Sequence, residues 1–381
     1  MSLEIRRVPL TGHPIAAAYV RDHDRVARFY LAGPPDQATS YREVAERVSQ
    51  AYPDSRWKAL AESVRPADPS VGERLEEVIR ARGLFVATGQ QAGLFTGPLL
   101  TIYKAVTAVR LAADLEQQLA VPVMPLFTVA SEDHDWDEVN HAHVIDLQNR
   151  LLRLEVSAPS EIQSDAIRPP VFRVPVGPHA DAALEQLSEV TPDTEFKTHF
   201  LDSLRSAYRH DRSMADAFEV ALTQLLTRYP CLPIQASHPF VKEASRELLW
   251  NEWEMRTDST QRLAERADEI ESGGFPLQVS TSEGLSNLFV EGALGRDRLL
   301  DDRSGARLRR SGEVLSGAEL RNTLERTPDR VSPGVLLRPV AEAAAFPVVA
   351  YVAGPAEIAY LAQSQPLFDL HGVPAPVVVP R

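Results

Sequence analysis

Between residues 132 and 143 the chain crowds five carboxylates, Glu132, Asp133, Asp135, Asp137 and Glu138, among His134, His141 and His143. Carboxylates this close repel one another unless a cation, hydrogen bonds or protonation intervenes. A solvated acidic turn is the ordinary form of such a run. This one directly follows an apolar stretch and carries Trp136, which favours a chemical role for Asp133, His134 and Asp135. Asp137 and Asn140 suit a helix cap equally well, and His143 suits the start of a strand. Imidazole and carboxylate are competent ligands for a divalent ion, and His134 with His141 could share one. The spacing matches neither HExxH nor a closed zinc pattern, so no metal is favoured. The other cation that would suit is a substrate amine, held by carboxylates with His134 as general base and Asp133 or Asp135 assisting.

A second segment, TGQQAGLFTGP at 88–98, supplies glycines, amides and hydroxyls ahead of a helix. Free N–H groups and the dipole at a helix N-terminus favour an anion such as phosphate or carboxylate. Thr88, Gly89, Gln90, Gln91, Thr96 and Gly97 are therefore candidates for substrate or nucleotide binding, and Asn140 and His141 join them from the acidic segment. The pattern is neither a Walker loop nor GxGxxG, and a plain strand-to-helix turn capped by Thr96 would also produce it. Lys104 follows two turns into the helix and is the weaker candidate. Near the C-terminus, Arg338 ends the apolar run VLLRPV and offers a bidentate fork for carboxylate or phosphate, or else a surface ion pair. Glu357 belongs to a third strand-to-helix break, 354–357, with Tyr360 and Gln363 on its face. Cys231, the only cysteine, lies in an apolar run and reads as inert core.

These segments need elements to hold them. Residues 83–87 (GLFVA) read as a buried strand. Gly97-Pro98 opens a helix running to about residue 120, with Leu99, Ile102, Val106, Val109 and Ala113 as its apolar stripe. Residues 121–130 form a second strand. Strand, helix and strand with short loops make a βαβ unit with parallel strands and a right-handed crossover. Both candidate loops then leave the carboxyl ends of those strands, where open parallel sheets bind ligands. Further on, a hairpin is expected at 143–156, an excursion at 157–198, helix over 199–228 and a strand at 231–236. One long charged helix is expected over 239–272, short strands and turns over 275–330, and α/β character again in the tail, with VLLRPV as a strand. The expected division is a core of 1–150, 200–245 and 330–381 with insertions at 151–199 and 246–329. Helices are expected earlier, in SYREVAERVSQAY and DPSVGERLEEVIRAR, each behind a Ser or Asp cap.

At 381 residues, 44% hydrophobic and 24% charged, the chain can bury a large core. A net charge of −13 leaves no broad basic surface for nucleic acid. No apolar run approaches the roughly 18–20 residues that span a bilayer, and the start has no apolar leader segment. With one cysteine, no intrachain disulfide is possible, and a cytoplasmic setting is the expectation.

The residues at 85–112 (FVATGQQAGLFTGPLLTIYKAVTAVRLA), at 129–142 (VASEDHDWDEVNHA), SPGVLLRPV, PVVAYVAGPAEIAYLAQ and the closing PVVVPR resemble the bacillithiol biosynthesis enzymes that add cysteine, a cysteine ligase family. The resemblance covers nearly the whole chain in family order. It implies an α/β fold with a Rossmann-like parallel sheet core, related to nucleotidyltransferase-type ligases, with connecting-peptide insertions. It also implies the last step of bacillithiol synthesis, in which L-cysteine is joined by an amide bond to the amine of glucosaminyl-malate, with ATP or another nucleotide activating the carboxyl group. The alternatives are a metal-dependent hydrolase using the EDHD loop and a non-catalytic sugar-acid-binding relative. Departures from the family pattern are Gly334 in place of Asn, Glu342-Ala343 in place of Gln-Asp, and AGPAE in place of GGPGE. Family members continue into a helical coiled coil that pairs subunits, whereas this sequence stops at Arg381, as a shortened member or as the core alone; pairing through that arm is not inferred from it, and the oligomeric state stays open.

Overall fold

A computed structural model describes residues 12–159, 162, 167–280, 284–302 and 305–381. In chain order its strands are β1 (Leu84–Gln90), β2 (Val123–Val129), β3 (His141–Ile145), β4 (Leu151–Glu155), β5 (Leu232–Gln235), β6 (Leu285–Gly292), β7 (Gly295–Asp302), β8 (Gly305–Leu308), β9 (Val314–Leu315), β10 (Val331–Pro333), β11 (Val348–Ala353) and β12 (Val377–Pro380). Five of them form one parallel sheet in the order β12-β11-β1-β2-β5. β1 and β2 are adjacent and parallel, as the βαβ reading requires. The chain builds outward from β1 in one direction through β2 and β5, then returns to build the other way through β11 and β12. The order therefore reverses between β1 and β11, which is the Rossmann-type switch point where ligands bind. Every residue of β2 and β11 is buried, which accounts for the near-continuous apolar runs VMPLFTV and VVAYVA.

Three local expectations give way to packing. β1 does not break at Thr88 but continues to Gln90. Gly89 permits this, because a Cβ there would meet the Thr128 carbonyl oxygen on β2 at 2.6 Å. The next helix spans Leu100–Leu119 and buries Thr101, Lys104, Ala105, Ala108, Ala112 and Leu115. Of the expected stripe, Leu99, Val106 and Ala113 are exposed and only Ile102 and Val109 are half-buried, so most of it is the outer face. Small alanines let the helix axis approach the sheet, and bulk alone misassigned the face. VLLRPV is not a strand: β10 ends at Pro333, and a helix spans Arg338–Ala345 with Pro339 in its first turn.

The expected hairpin is β3-β4, and the charged helix is two, Pro239–Glu254 and Arg256–Ser272. The early helices run Ala38–Ala51 and Pro69–Ala81. Asp68 caps the second, whereas Ser40 lies inside the first. A second, antiparallel sheet follows the order β10-β6-β7-β8-β9. Its Leu288, Val290 and Leu299 share one hydrophobic cluster with Phe85 and Ala87 of β1 and with Phe240 and Leu263, so residues 246–329 are built into the main core. Helices Lys197–Ala207 and Met214–Leu225 instead pack with the hairpin and the His179–Val190 helix. The division expected at residue 199 thus falls inside a cluster. No helix of the described residues is long and apolar enough to cross a membrane.

Candidate active site

A cavity of about 520 Å³ opens at the carboxyl ends of the parallel strands. Gly89, Gln90 and Gln91 bring β1 to its wall, Ala130, Glu132 and Asp133 bring β2, and residues 354–357 bring β11. The antiparallel sheet closes the far side with Phe289, Arg296 and Arg298, and Arg338, Tyr360 and Arg381 complete it. The site is therefore the contact between two sheets, with the switch point at its floor.

That floor is cationic. Lys104, 1% exposed, places Nζ 2.7 Å from Glu357 Oε2 and donates to the Gly89 carbonyl and to Gln90 Oε1 at 3.4 Å. Burial pushes its pKa down, against the pull of Glu357. Arg338 donates to the Tyr360 hydroxyl at 2.7 Å. Arg296 donates from Nε to Ser332 Oγ and from a terminal nitrogen to the Pro333 carbonyl, each at 2.9 Å, and its guanidinium lies 3.9 Å from the centre of the Phe289 ring. Arg298 lies 5.5 Å from the same ring. Residues 295–300 read GRDRLL, and the two-residue period of a strand sends both arginines to one face. The sequence reading missed that signal by treating 275–330 as short strands and turns.

The two candidate loops do meet. Gln91 Nε2 donates to Asp133 Oδ2 at 2.7 Å and also to Glu138, and the His134 N–H donates to Asp133 Oδ1 at 2.7 Å. Burial alone would push the Asp133 carboxyl up, but the Gln91 amide, Arg296 and His134 outweigh it and hold the group below its ordinary value. Asp133 is an anion at neutral pH. Behind it, Lys242 binds both Glu132 and the Val331 carbonyl, which ties the acidic loop to the start of β10.

His134 stands at a partition. Asp133 lines the main cavity and also a second one of about 480 Å³, in which His134, Asp135, Trp136, Asp137 and Glu138 face Val171 and Val174. Arg296 donates to His134 Nδ1 at 3.2 Å. Since arginine has no lone pair to offer, Nδ1 accepts and the proton sits on Nε2. Burial lowers the imidazole pKa, Arg296 lowers it further and Asp133 opposes them. The ring is neutral, with Nδ1 already engaged. Asp135 caps the Trp136–Val139 turn by accepting from the Glu138 N–H.

Five expected site residues lie outside both cavities. Thr88, buried inside the lengthened strand, donates to the Val352 carbonyl at 2.9 Å and bonds β1 to β11. Thr96 and Gly97, with φ of 73° and 71°, belong to the turn beyond the loop, where the Thr96 N–H donates to the Tyr208 hydroxyl at 3.1 Å. Asn140 donates to Glu155 Oε1 at 3.2 Å, and His141 shares a 3.1 Å bond with Asn140 Oδ1 and packs edge-on against His143. That pair sits at the foot of the β3-β4 hairpin because β3 begins at His141. Hence His134 and His141 do not converge, and among the described residues no group of three or more His, Cys, Asp or Glu side chains is gathered for a metal ion. Gly89, Gln90, Gln91, Asp133, Arg338 and Glu357 line the main cavity, and His134 and Asp135 the second.

A family profile described as Bacillithiol biosynthesis BshC, N-terminal Rossmann-like domain, matches residues 1–381. The chain belongs to this family. Among its relatives, the "Putative cysteine ligase BshC" of Salinibacter ruber is 31% identical over a match covering 95% of this chain and 66% of the relative. The proteins of the same name from Carboxydothermus hydrogenoformans and Geobacillus thermodenitrificans are each 29% identical, the matches covering 95% and 100% of this chain and 67% and 70% of the relative. The chain spans about two thirds of the length of the relatives it matches. Both the family description and the parallel sheet of Rossmann order agree with the α/β class read from the sequence.

Proposed function

We propose that this protein is a carbon–nitrogen bond-forming ligase that joins the carboxyl group of L-cysteine to the amine of glucosaminyl-malate, the closing step of bacillithiol biosynthesis in the cytoplasm. The observation that carries this reading is the opposition of charges within one cavity. Lys104, Arg296, Arg298, Arg338 and Arg381 line a space with Asp133 at its edge, where the other two carboxylates, Glu132 and Glu357, are matched by Lys242 and Lys104. A glucosaminyl-malate molecule needs that polarity, with cations for its two malate carboxylates and an anion for its amine. Guanidinium forks on the wall suit the carboxylates. Asp133, ionised and fixed by Gln91, suits the amine as an orienting partner.

His134 supports this arrangement indirectly. Its Nδ1 is engaged by Arg296, so a general-base role at that nitrogen requires Arg296 to release it. In the resting geometry the ring positions Asp133 and Arg296 between the two cavities. A nucleotide such as ATP would supply the activation of the cysteine carboxyl. The N-terminal end of the Leu100–Leu119 helix lines the cavity and suits its phosphates, whereas the end at 354–357 is already capped by the Glu357 carboxylate. The carboxylate-rich second cavity gives the amino group of cysteine a place adjoining Asp133.

Incubating the purified protein with glucosaminyl-malate, cysteine and ATP, with mass detection of product and spent nucleotide, tests the proposal. The expected result is the cysteinyl amide together with AMP or ADP. A protein that binds glucosaminyl-malate yet forms no amide under these conditions would support the sugar-acid-binding alternative instead.

A further inference from the structure

Behind Arg338, one turn along the same helix, Glu342 occupies the least comfortable position of any acid near the site. It is 5% exposed, and neither carboxylate oxygen has a hydrogen-bond partner among the described residues. The Thr128 hydroxyl lies against the carboxylate and pulls its pKa down, yet neither group closes a hydrogen bond of normal geometry. Both side chains line a cavity of about 20 Å³, room for one water. That small cavity shares Glu132, Ala236, Pro333 and Arg338 with the main one. Arg338 is thus a common wall, facing the proposed substrate on one side and Glu342 on the other.

The charges around Glu342 come from five elements. Lys242 on the Pro239–Glu254 helix is answered by Glu132 of the acidic loop, and Lys104 on the Leu100–Leu119 helix by Glu357 on the Pro355–Leu370 helix. Arg338 has the Tyr360 hydroxyl as its hydrogen-bond partner. With the lysines matched, Arg296, Arg298, Arg338 and Arg381 supply the fixed positive charge of the main cavity, and the protonation of Glu342 sets how much of the Arg338 charge an anion there meets.

We infer that Glu342 is a positioning residue that couples anion binding in the main cavity to uptake of a proton behind Arg338. Protonated Glu342 leaves the guanidinium charge free for a substrate carboxylate, whereas ionised Glu342 opposes the same carboxylate through the shared wall. Linkage makes the effect reciprocal: a bound anion favours the protonated acid by the same factor that protonation favours the anion. Burial pushes the Glu342 carboxyl up to about 7, with Arg338 pulling the other way, so the coupling falls at neutral pH. The inference rests on the proposed function only in taking the ligand of this cavity to be a carboxylate anion.

Titration calorimetry with free malate tests it, run between pH 6 and 8 in two buffers of different ionisation heat. Wild-type protein is expected to bind about tenfold more weakly at pH 8 than at pH 6, with net proton uptake near pH 7.5. Glu342→Gln is expected to bind at every pH as the wild type does at pH 6, without proton uptake. A purely structural role for Glu342 would shift affinity in the variant without removing the pH slope. A flat wild-type profile, an unchanged slope in Glu342→Gln, a slope abolished by His134→Gln, or no malate binding at any pH would overturn the inference. Should Glu342→Gln not fold, proton uptake that persists in His134→Gln supports the inference, and uptake lost in that variant or absent from the wild type overturns it. Failure of the ligase reading shows differently, as absence of amide product while malate binding stays proton-linked.

Discussion

Two buried lysine–glutamate pairs flank the site, and they serve different ends. Lys242 is enclosed between Glu132 and the Val331 carbonyl, with both charged side chains under 10% exposed, so it acts as a rivet between the acidic loop and the second sheet. Lys104 pairs with Glu357 in the cavity wall, where Glu357 keeps 16% exposure and Gln90 completes the contact. The same residue types at similar distances give a frame in one region and a ligand-facing surface in the other. Each lysine also donates to a backbone carbonyl, Val331 for Lys242 and Gly89 for Lys104; what separates the pairs is that Lys104 adds the Gln90 side chain and that its pair lines the cavity. Glu342 extends the contrast, a buried glutamate beside the site that no lysine pairs with among the described residues.

The sharpest way to break this contrast is Lys242→Ala. It leaves Glu132 buried and uncompensated and should cost about 3–5 kcal/mol of stability in urea denaturation. Lys104→Met should cost less stability and show chiefly in the assay, as a rise of tenfold or more in KM for glucosaminyl-malate. If the two variants behave alike, the distinction between frame and surface fails.

Glu342→Gln should move stability the opposite way. The carboxyl is raised from 4.5 to about 7, so the stability linked to its proton is fully present below about 4.5 and lost as pH rises through about 7. The variant should therefore exceed the wild type by up to about 3 kcal/mol at pH 8 and by little at pH 4. Thermal melts at the two pH values check the sign. The smallest effect is expected at Asn140→Ala, whose side chain serves the hairpin: kcat and KM should stay within about threefold, with the loss confined to roughly 1 kcal/mol of stability.

The parallel core was legible because its signals are local. The apolar runs at β1, β2 and β11 announce strands buried on both faces, and the loops that end them had to meet at the carboxyl edge. Gln91 and Asp133 do. The rest depended on partners distant in sequence. Nothing near Arg296 indicates that β7 faces the end of β1, since that follows from the packing of two sheets. Lys104 is hard to place from sequence because the helix turns its alanines to the sheet and takes the lysine inward with them. The apolar run VLLRPV suggests a strand at Arg338, although Pro339 marks a helix start. Proximity in sequence joins Asn140 and His141 to the acidic loop, but the onset of β3 at His141 takes both to the hairpin.

The most direct measurement compares one residue the structure places in the cavity with one it places outside. Glucosaminyl-malate is titrated calorimetrically into Arg298→Ala and into His141→Ala, with both variants shown to be folded. Weakening by tenfold or more in the first and wild-type affinity in the second is the expected result. Wild-type affinity for Arg298→Ala, with binding lost in His141→Ala, would move the substrate to the hairpin and contradict the placement of the site between the two sheets.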